Sequence, residues 1–256
     1  MHAIIDSYGI WLFAAAFGVM LLAGFTKGAV GFALPMVTVS GVGSIMSIEL
    51  AVAAILLPGL VTNIWQSMRN GSAAALGSLR KYWRLNLVLL VMIYLCAQLV
   101  TRLPASTLFL ILGAGVTVFG TLQLAGWRLT IPDRIKNRAE VVVGLVAGFF
   151  GGIAGVWGPP ILIYLVGRDT PKAEQVRAQG ISFLIGSIVL VVAHLGSGVL
   201  DRATLPWSAA MVLPALAGMA LGYRVQDRLD QAKFRKVTLA VLVLAGLNLL
   251  RRGLTG

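Results

Sequence analysis

Gly24-Phe25-Thr26-Lys27-Gly28-Ala29-Val30-Gly31-Phe32-Ala33-Leu34-Pro35 has a counterpart 124 residues later, Gly148-Phe149-Phe150-Gly151-Gly152-Ile153-Ala154-Gly155-Val156-Trp157-Gly158-Pro159. Gly24/Gly148, Phe25/Phe149, Gly28/Gly152, Gly31/Gly155 and Pro35/Pro159 coincide. Both stretches lie inside long apolar runs. Glycine there tolerates a left-handed backbone and close approach. Proline lacks an N–H and suits the first turn of a new helix. Each stretch therefore reads as a helix that stops and restarts at membrane depth, with Pro35 and Pro159-Pro160 opening the second arms.

The surrounding composition sets the class. The chain is 58% hydrophobic and 12% charged, against about 25% charged in ordinary soluble domains. Eight apolar segments are predicted, at roughly 10–42, 48–66, 85–100, 107–124, 141–166, 176–195, 205–223 and 234–250. The expected fold is an all-α polytopic membrane protein of two repeats, residues 1–126 and 141–256, joined by a cytoplasmic linker over 127–140. The first segment of each repeat is broken into a hairpin. That opening segment lacks a basic flank and a cleavage pattern, and reads as a retained helix.

Charge placement orients the repeats. The net charge of +12 lies in the connections between apolar runs, where it meets anionic lipid rather than nucleic acid. If all eight segments crossed once, Lys and Arg would divide almost evenly, 9 against 11. If the first and fifth double back, one side gathers 16 and the other 4, as the positive-inside rule expects. The repeats are then inverted, both termini face outside, and the hairpins enter from opposite sides.

An odd pair of interrupted segments is the sequence sign of a transporter's binding site. Helix N-termini present unpaired N–H groups and partial positive charge, so the expected ligand is a small anion. The candidate residues are Thr26, Lys27, Gly28, Gly31 and Pro35 in the first break, and Gly152, Gly155, Trp157, Gly158, Pro159 and Pro160 in the second. Lys27 adds a full charge, unless it caps carbonyls of its own helix or snorkels outward. Its counterpart is Gly151, so the site is expected to be asymmetric. Trp157 reads equally as a wall or gate of the site or as packing. Asn63, Gln66, Gln179, Ser182 and His194 are polar residues in apolar helices that either line a cavity or bond a neighbouring helix. Glu49, after Ser47, reads as a helix-start residue. Gly144, Gly148 and Gly152 make one flat packing face. Tyr82, Trp83, Trp127, Trp207 and Tyr223 sit near segment ends and read as interfacial anchors. Pro58 and Pro214 fall inside helices.

Catalysis has little support. Two histidines, one cysteine and nine acids form no nucleophile, metal or nucleotide motif. No catalytic residue, cofactor or metal is expected. Cys96 alone makes an internal disulfide impossible. A passive anion channel and, from another class, an intramembrane enzyme are the alternatives to a secondary transporter.

The two motifs resemble those of the sulfite exporter TauE/SafE family, also called the 4-toluene sulfonate uptake permease family. The first-half likeness rests on Gly24-Phe25-x-Lys27-Gly28-x-x-Gly31-Phe32 with Pro35. The second-half likeness rests on Gly151-Gly152-x-x-Gly155-x-x-Gly158-Pro159-Pro160 with Tyr164-Leu165; Trp157 stands where a small residue is common. The resemblance implies transport of sulfite or small organosulfonates across a bacterial cytoplasmic membrane. It carries the sulfur chemistry, which the residues themselves do not supply.

Overall fold

The computed structural model describes residues 2–97, 105–127, 130–154 and 156–255. Gly155, Arg102 and Arg128 lie outside them. The described residues form eleven α-helices and a short 3-10 turn, Asp133–Ile135, with no strand among them. The helices are α1 His2–Val30, α2 Leu34–Val42, α3 Ile48–Met68, α4 Ser72–Lys81, α5 Trp83–Ala97, α6 Ala105–Leu124, α7 Lys136–Ala154, α8 Gly158–Gly167, α9 Lys172–Ser197, α10 Leu205–Arg228 and α11 Gln231–Thr255. Five of them are long and apolar enough to cross a membrane: the Tyr8–Val30 part of α1, and α3, α9, α10 and α11. The chain is an all-helical membrane protein.

Both expected breaks are present. α1 stops at Val30 and α2 starts at Leu34; α7 stops at Ala154 and α8 starts at Gly158. Gly31 takes φ +90° and Ala33 φ +77°, a left-handed path that glycine follows freely and alanine at a cost. Pro35 and Pro159 lie in the first turns of the new arms. Those arms have 9 and 10 residues, about 14 Å each at 1.5 Å per residue, too short to cross a core of about 30 Å.

The chain divides into two compact units that interleave the sequence halves. The first comprises residues 1–69 and 183–229. Within it α1 lies along α10, and α3 packs on α2 and α10. Small residues make the α1–α10 approach possible. A Cβ on Gly24 would fall 2.2 Å from the Ala215 carbonyl oxygen, and one on Gly222 would fall 2.2 Å from the Phe25 oxygen. Trp207 is fully buried and donates its indole N–H to the Leu50 carbonyl at 2.9 Å. Ser47 caps α3 by accepting the Leu50 N–H at 3.3 Å, with Glu49 in the first turn. Pro58 and Pro214 lie within α3 and α10.

The second unit comprises residues 70–182 and 230–256. Here α7 packs on α5, α6 on α11, and α8 on α7. Two residues of the predicted glycine face are used: Cβ atoms on Gly144 and Gly148 would each lie 3.0 Å from α5 carbonyl oxygens, those of Leu85 and Leu89. α7 begins at Lys136, so the last residues of the expected linker are helical.

Three aromatic assignments are corrected. Trp207, Tyr82 and Tyr223 are buried at 0%, 4% and 5% exposure, not interfacial anchors. Each has a polar or cationic contact that segment position could not reveal. The Arg69 guanidinium lies 3.7 Å from the Tyr223 ring centroid, and the Tyr82 hydroxyl donates to Glu174 at 2.5 Å. Trp83 and Trp127 are exposed, as anchors would be. α4 was not among the expected segments: it is short and only weakly apolar.

Candidate substrate site

The first break brings buried polar side chains of several helices together. α1 ends with open carbonyls, as every helix does, and these are served by side chains from neighbouring helices. The Gly31 N–H donates to the Lys27 oxygen at 2.7 Å. The Gln66 amide of α3 donates to the Gly31 oxygen at 2.8 Å, and the Gln226 amide of α10 to the Ala29 oxygen at 3.4 Å. Arg69 steadies Gln226 by donating to its amide oxygen at 2.5 Å, while pairing with Asp227 at 2.6 Å.

Lys27 is thereby left out of the capping. Its side chain is only 3% exposed, so it does not snorkel. Its ammonium donates to the Asn63 amide oxygen. The Asn63 amide nitrogen donates on to the Ser187 hydroxyl at 3.3 Å, and that hydroxyl donates to the Leu184 carbonyl at 2.9 Å. Lys27, Asn63 and Ser187 thus form a polar line across α1, α3 and α9. Among the described residues no carboxylate lies within ion-pair distance of Lys27. Its place in the last turn of α1 suits the helix dipole, worth about 0.3–1 kcal/mol. Burial of an ion costs several kcal/mol. The dipole and one neutral partner do not offset that cost.

The other residues of this break take distinct places. Ala33, Leu34, Pro35 and Met36 open α2, and no side chain caps that end. Of its four leading N–H positions only proline lacks the donor, which leaves three. Thr26 gives its proton to the Leu22 carbonyl of its own helix at 2.9 Å. Gly28 faces α10: a Cβ there would sit 2.3 Å from the Met219 oxygen. It is placed for helix packing.

The second break, in the other unit, is built differently. No side chain caps α8. Pro159 and Pro160 both fall in its first turn and remove two of four leading donors, so it is the poorer anion-binding end. Both prolines and Trp157 are buried. The Val156 N–H donates to the Phe150 carbonyl at 3.3 Å across the turn. Trp157 packs on its own hairpin: a Cβ on Gly151 would meet the Trp157 Cβ at 3.3 Å. This gives a reason for glycine where the first repeat has Lys27. Gly152 lies in the last turn of α7 and Gly158 is the first residue of α8. Gly155 lies outside the described residues.

Sequence reading singled out Lys27, Asn63 and Gln66. It missed Ser187 and Gln226. Gln226 stands beside charged Asp227 near a helix end and looks like loop-side polarity; its place four residues after Gly222, on the face of the α10 glycines, was the available signal.

An all-helical membrane fold with two interrupted helices and a buried lysine at the first break defines a class, the polytopic helical membrane proteins. The chain matches the sulfite exporter TauE/SafE family over residues 16–249 and belongs to it. It is 31% identical over 233 residues to the probable sulfite/organosulfonate exporter TauE of Cupriavidus necator, covering 90% of this chain and 84% of that relative. No solved structure matches the chain. Family membership places the chain among membrane transporters.

Proposed function

We propose that this chain is a secondary transporter that carries sulfite or small organosulfonates across the bacterial cytoplasmic membrane by alternating access. The observation that carries the reading is Lys27: a buried ammonium, held by the neutral Asn63 amide, with no carboxylate partner among the described residues. Sulfite and sulfonate groups present several acceptor oxygens on a small anion, and so match a lysine with unused donors in the last turn before the break. The relative's name, a probable sulfite/organosulfonate exporter, supports the sulfur chemistry.

Inverted duplication is supported by reciprocity of packing. In one unit the first hairpin's α1 packs on α10; in the other the second hairpin's α7 packs on α5. By order along the chain, α10 of the second repeat stands where α5 stands in the first. Each hairpin therefore packs on the same element of the other repeat. The breaks between α1 and α2 and between α7 and α8 serve as the paired interruptions, with the charge on the first. Both termini lie outside in this reading, and the Lys/Arg-rich connections lie in the cytoplasm.

Substrate counterflow in proteoliposomes tests it. Vesicles preloaded with sulfite should accumulate labelled sulfite against its gradient, and Lys27→Met should abolish this. Flux without counterflow would indicate a channel. Sulfate or acetate competing as well as sulfite and sulfoacetate would overturn the substrate assignment.

A further inference from the structure

Within the second unit, a cavity of about 60 Å³ is lined by Lys81, Tyr82, Lys136, Tyr164, Arg168, Thr170 and Pro171. A single water needs about 10–15 Å³ of such space, so the cavity has room for a tetrahedral oxyanion group. Three of the lining residues are cationic and none is acidic.

The nearby acids stand behind the wall. Glu174 pairs with Lys81 at 2.5 Å and accepts from the Tyr82 hydroxyl. Asp133 pairs with Arg168 at 2.6 Å, and Arg168 also donates to the Ile131 carbonyl at 2.6 Å. Glu140, fully buried, accepts the Tyr164 hydroxyl proton at 3.2 Å. Lys81 and Arg168 are thus held in place by acids that do not enter the cavity. Lys136, at the start of α7, makes no ion pair among the described residues.

The location agrees with a headgroup. Lys81, Lys136 and Arg168 belong to three connections that charge placement assigns to the same, cytoplasmic side. Trp83, next to Tyr82, is 48% exposed and carries the Arg84 guanidinium 4.8 Å from its ring centroid. An exposed tryptophan with a basic neighbour suits the membrane interface. Basic pockets between helices on that side are suited to anionic lipid headgroups.

We propose that this cavity binds a phosphate group, offered either by an anionic phospholipid of the cytoplasmic leaflet or by free inorganic phosphate. The site shares no residue with the Lys27 site and stands whatever the chain transports.

Thermal unfolding of the full chain in nanodiscs tests it. Phosphatidylglycerol, compared with phosphatidylcholine alone, should raise the unfolding midpoint by several degrees. Lys136→Gln should remove most of that shift, and Lys136→Arg should keep it. In phosphatidylcholine nanodiscs, added inorganic phosphate should reproduce a Lys136-dependent shift only if the source is the free ion; a shift with phosphatidylglycerol alone assigns the lipid. Either pattern supports the site. If Lys136→Gln does not fold, Lys81→Gln carries the same expectation. No shift with either phosphate source, or shifts unchanged in both variants, would overturn the proposal.

Discussion

Lys27→Met separates a binding lysine from a structural one. Methionine keeps the unbranched stem, one heavy atom shorter, and removes the charge. Among the described residues the Lys27 ammonium donates only to Asn63, while Gln66 and Gln226 serve the carbonyls that close α1. The substitution therefore deletes no cap. It leaves the Asn63 oxygen without its lysine donor, at about 1–3 kcal/mol, and relieves a buried charge; replacing buried ions by apolar groups is often neutral or stabilising by about 1–4 kcal/mol. The unliganded protein should unfold at the same temperature or higher. Binding should suffer, since a hydrogen bond to a charged group contributes about 1.5–3 kcal/mol, or roughly ten- to hundredfold in Kd. Scanning fluorimetry with sulfite titration reads both quantities from one sample. Asn63→Asp is the complementary perturbation. It places a carboxylate on Lys27, so it should stabilise the empty protein and weaken sulfite binding by competition. A Kd within about threefold of wild type for Lys27→Met, or a loss of empty-state stability above about 2 kcal/mol, would refute the reasoning, because those are the marks of a lysine that only holds helices together.

Three further outcomes are expected. Gly222→Val should separate α1 from α10, because its Cβ would lie 2.2 Å from the Phe25 oxygen; overpacking of this kind costs about 1–3 kcal/mol or more, and an unchanged melting temperature would show that the helices part freely. Single cysteines at Asp133 and Gly43 should label from the cytoplasmic and external sides respectively, with buried Cys96 as a low background; labelling from one side would defeat the inverted arrangement. Asp201 accepts the Thr204 and Ala203 N–H groups at 2.8 Å each, and the Thr204 bonds first, then Ala203, hold its carboxyl below the usual aspartate range. Its support for the turn into α10 is therefore full above the unfolded aspartate value of about 3.9 and fades as pH falls through the lower folded one; Asp201→Ala should remove that acid-sensitive part of the melting curve, and identical curves for both proteins would rule it out.

The helical class, the apolar segments and both breaks were legible in the chain because each depends on neighbours in sequence. A run of apolar residues must find lipid or protein, and Gly31 and Pro35 bend or restart a backbone wherever they stand. Segment position misassigned Trp207 and Tyr223 as interfacial. The one donates to Leu50 and the other lies under Arg69, and both partners are more than a hundred residues away. Gly28 read as a ligand-facing glycine for the same reason: nothing local announces that Met219 and Gly222 press against it.

By itself the sequence determined that the chain crosses a membrane in helices, that two of its segments are interrupted, and that a lone cation sits at the first interruption. Those properties follow from hydrocarbon transfer and backbone sterics, which act over a few residues. Only the tertiary structure decided what Lys27 touches, which glutamines close the end of α1, and that each hairpin packs on a helix from the other half. Such choices depend on which distant side chains meet after packing, and a buried charge takes its role from the partners that packing leaves it.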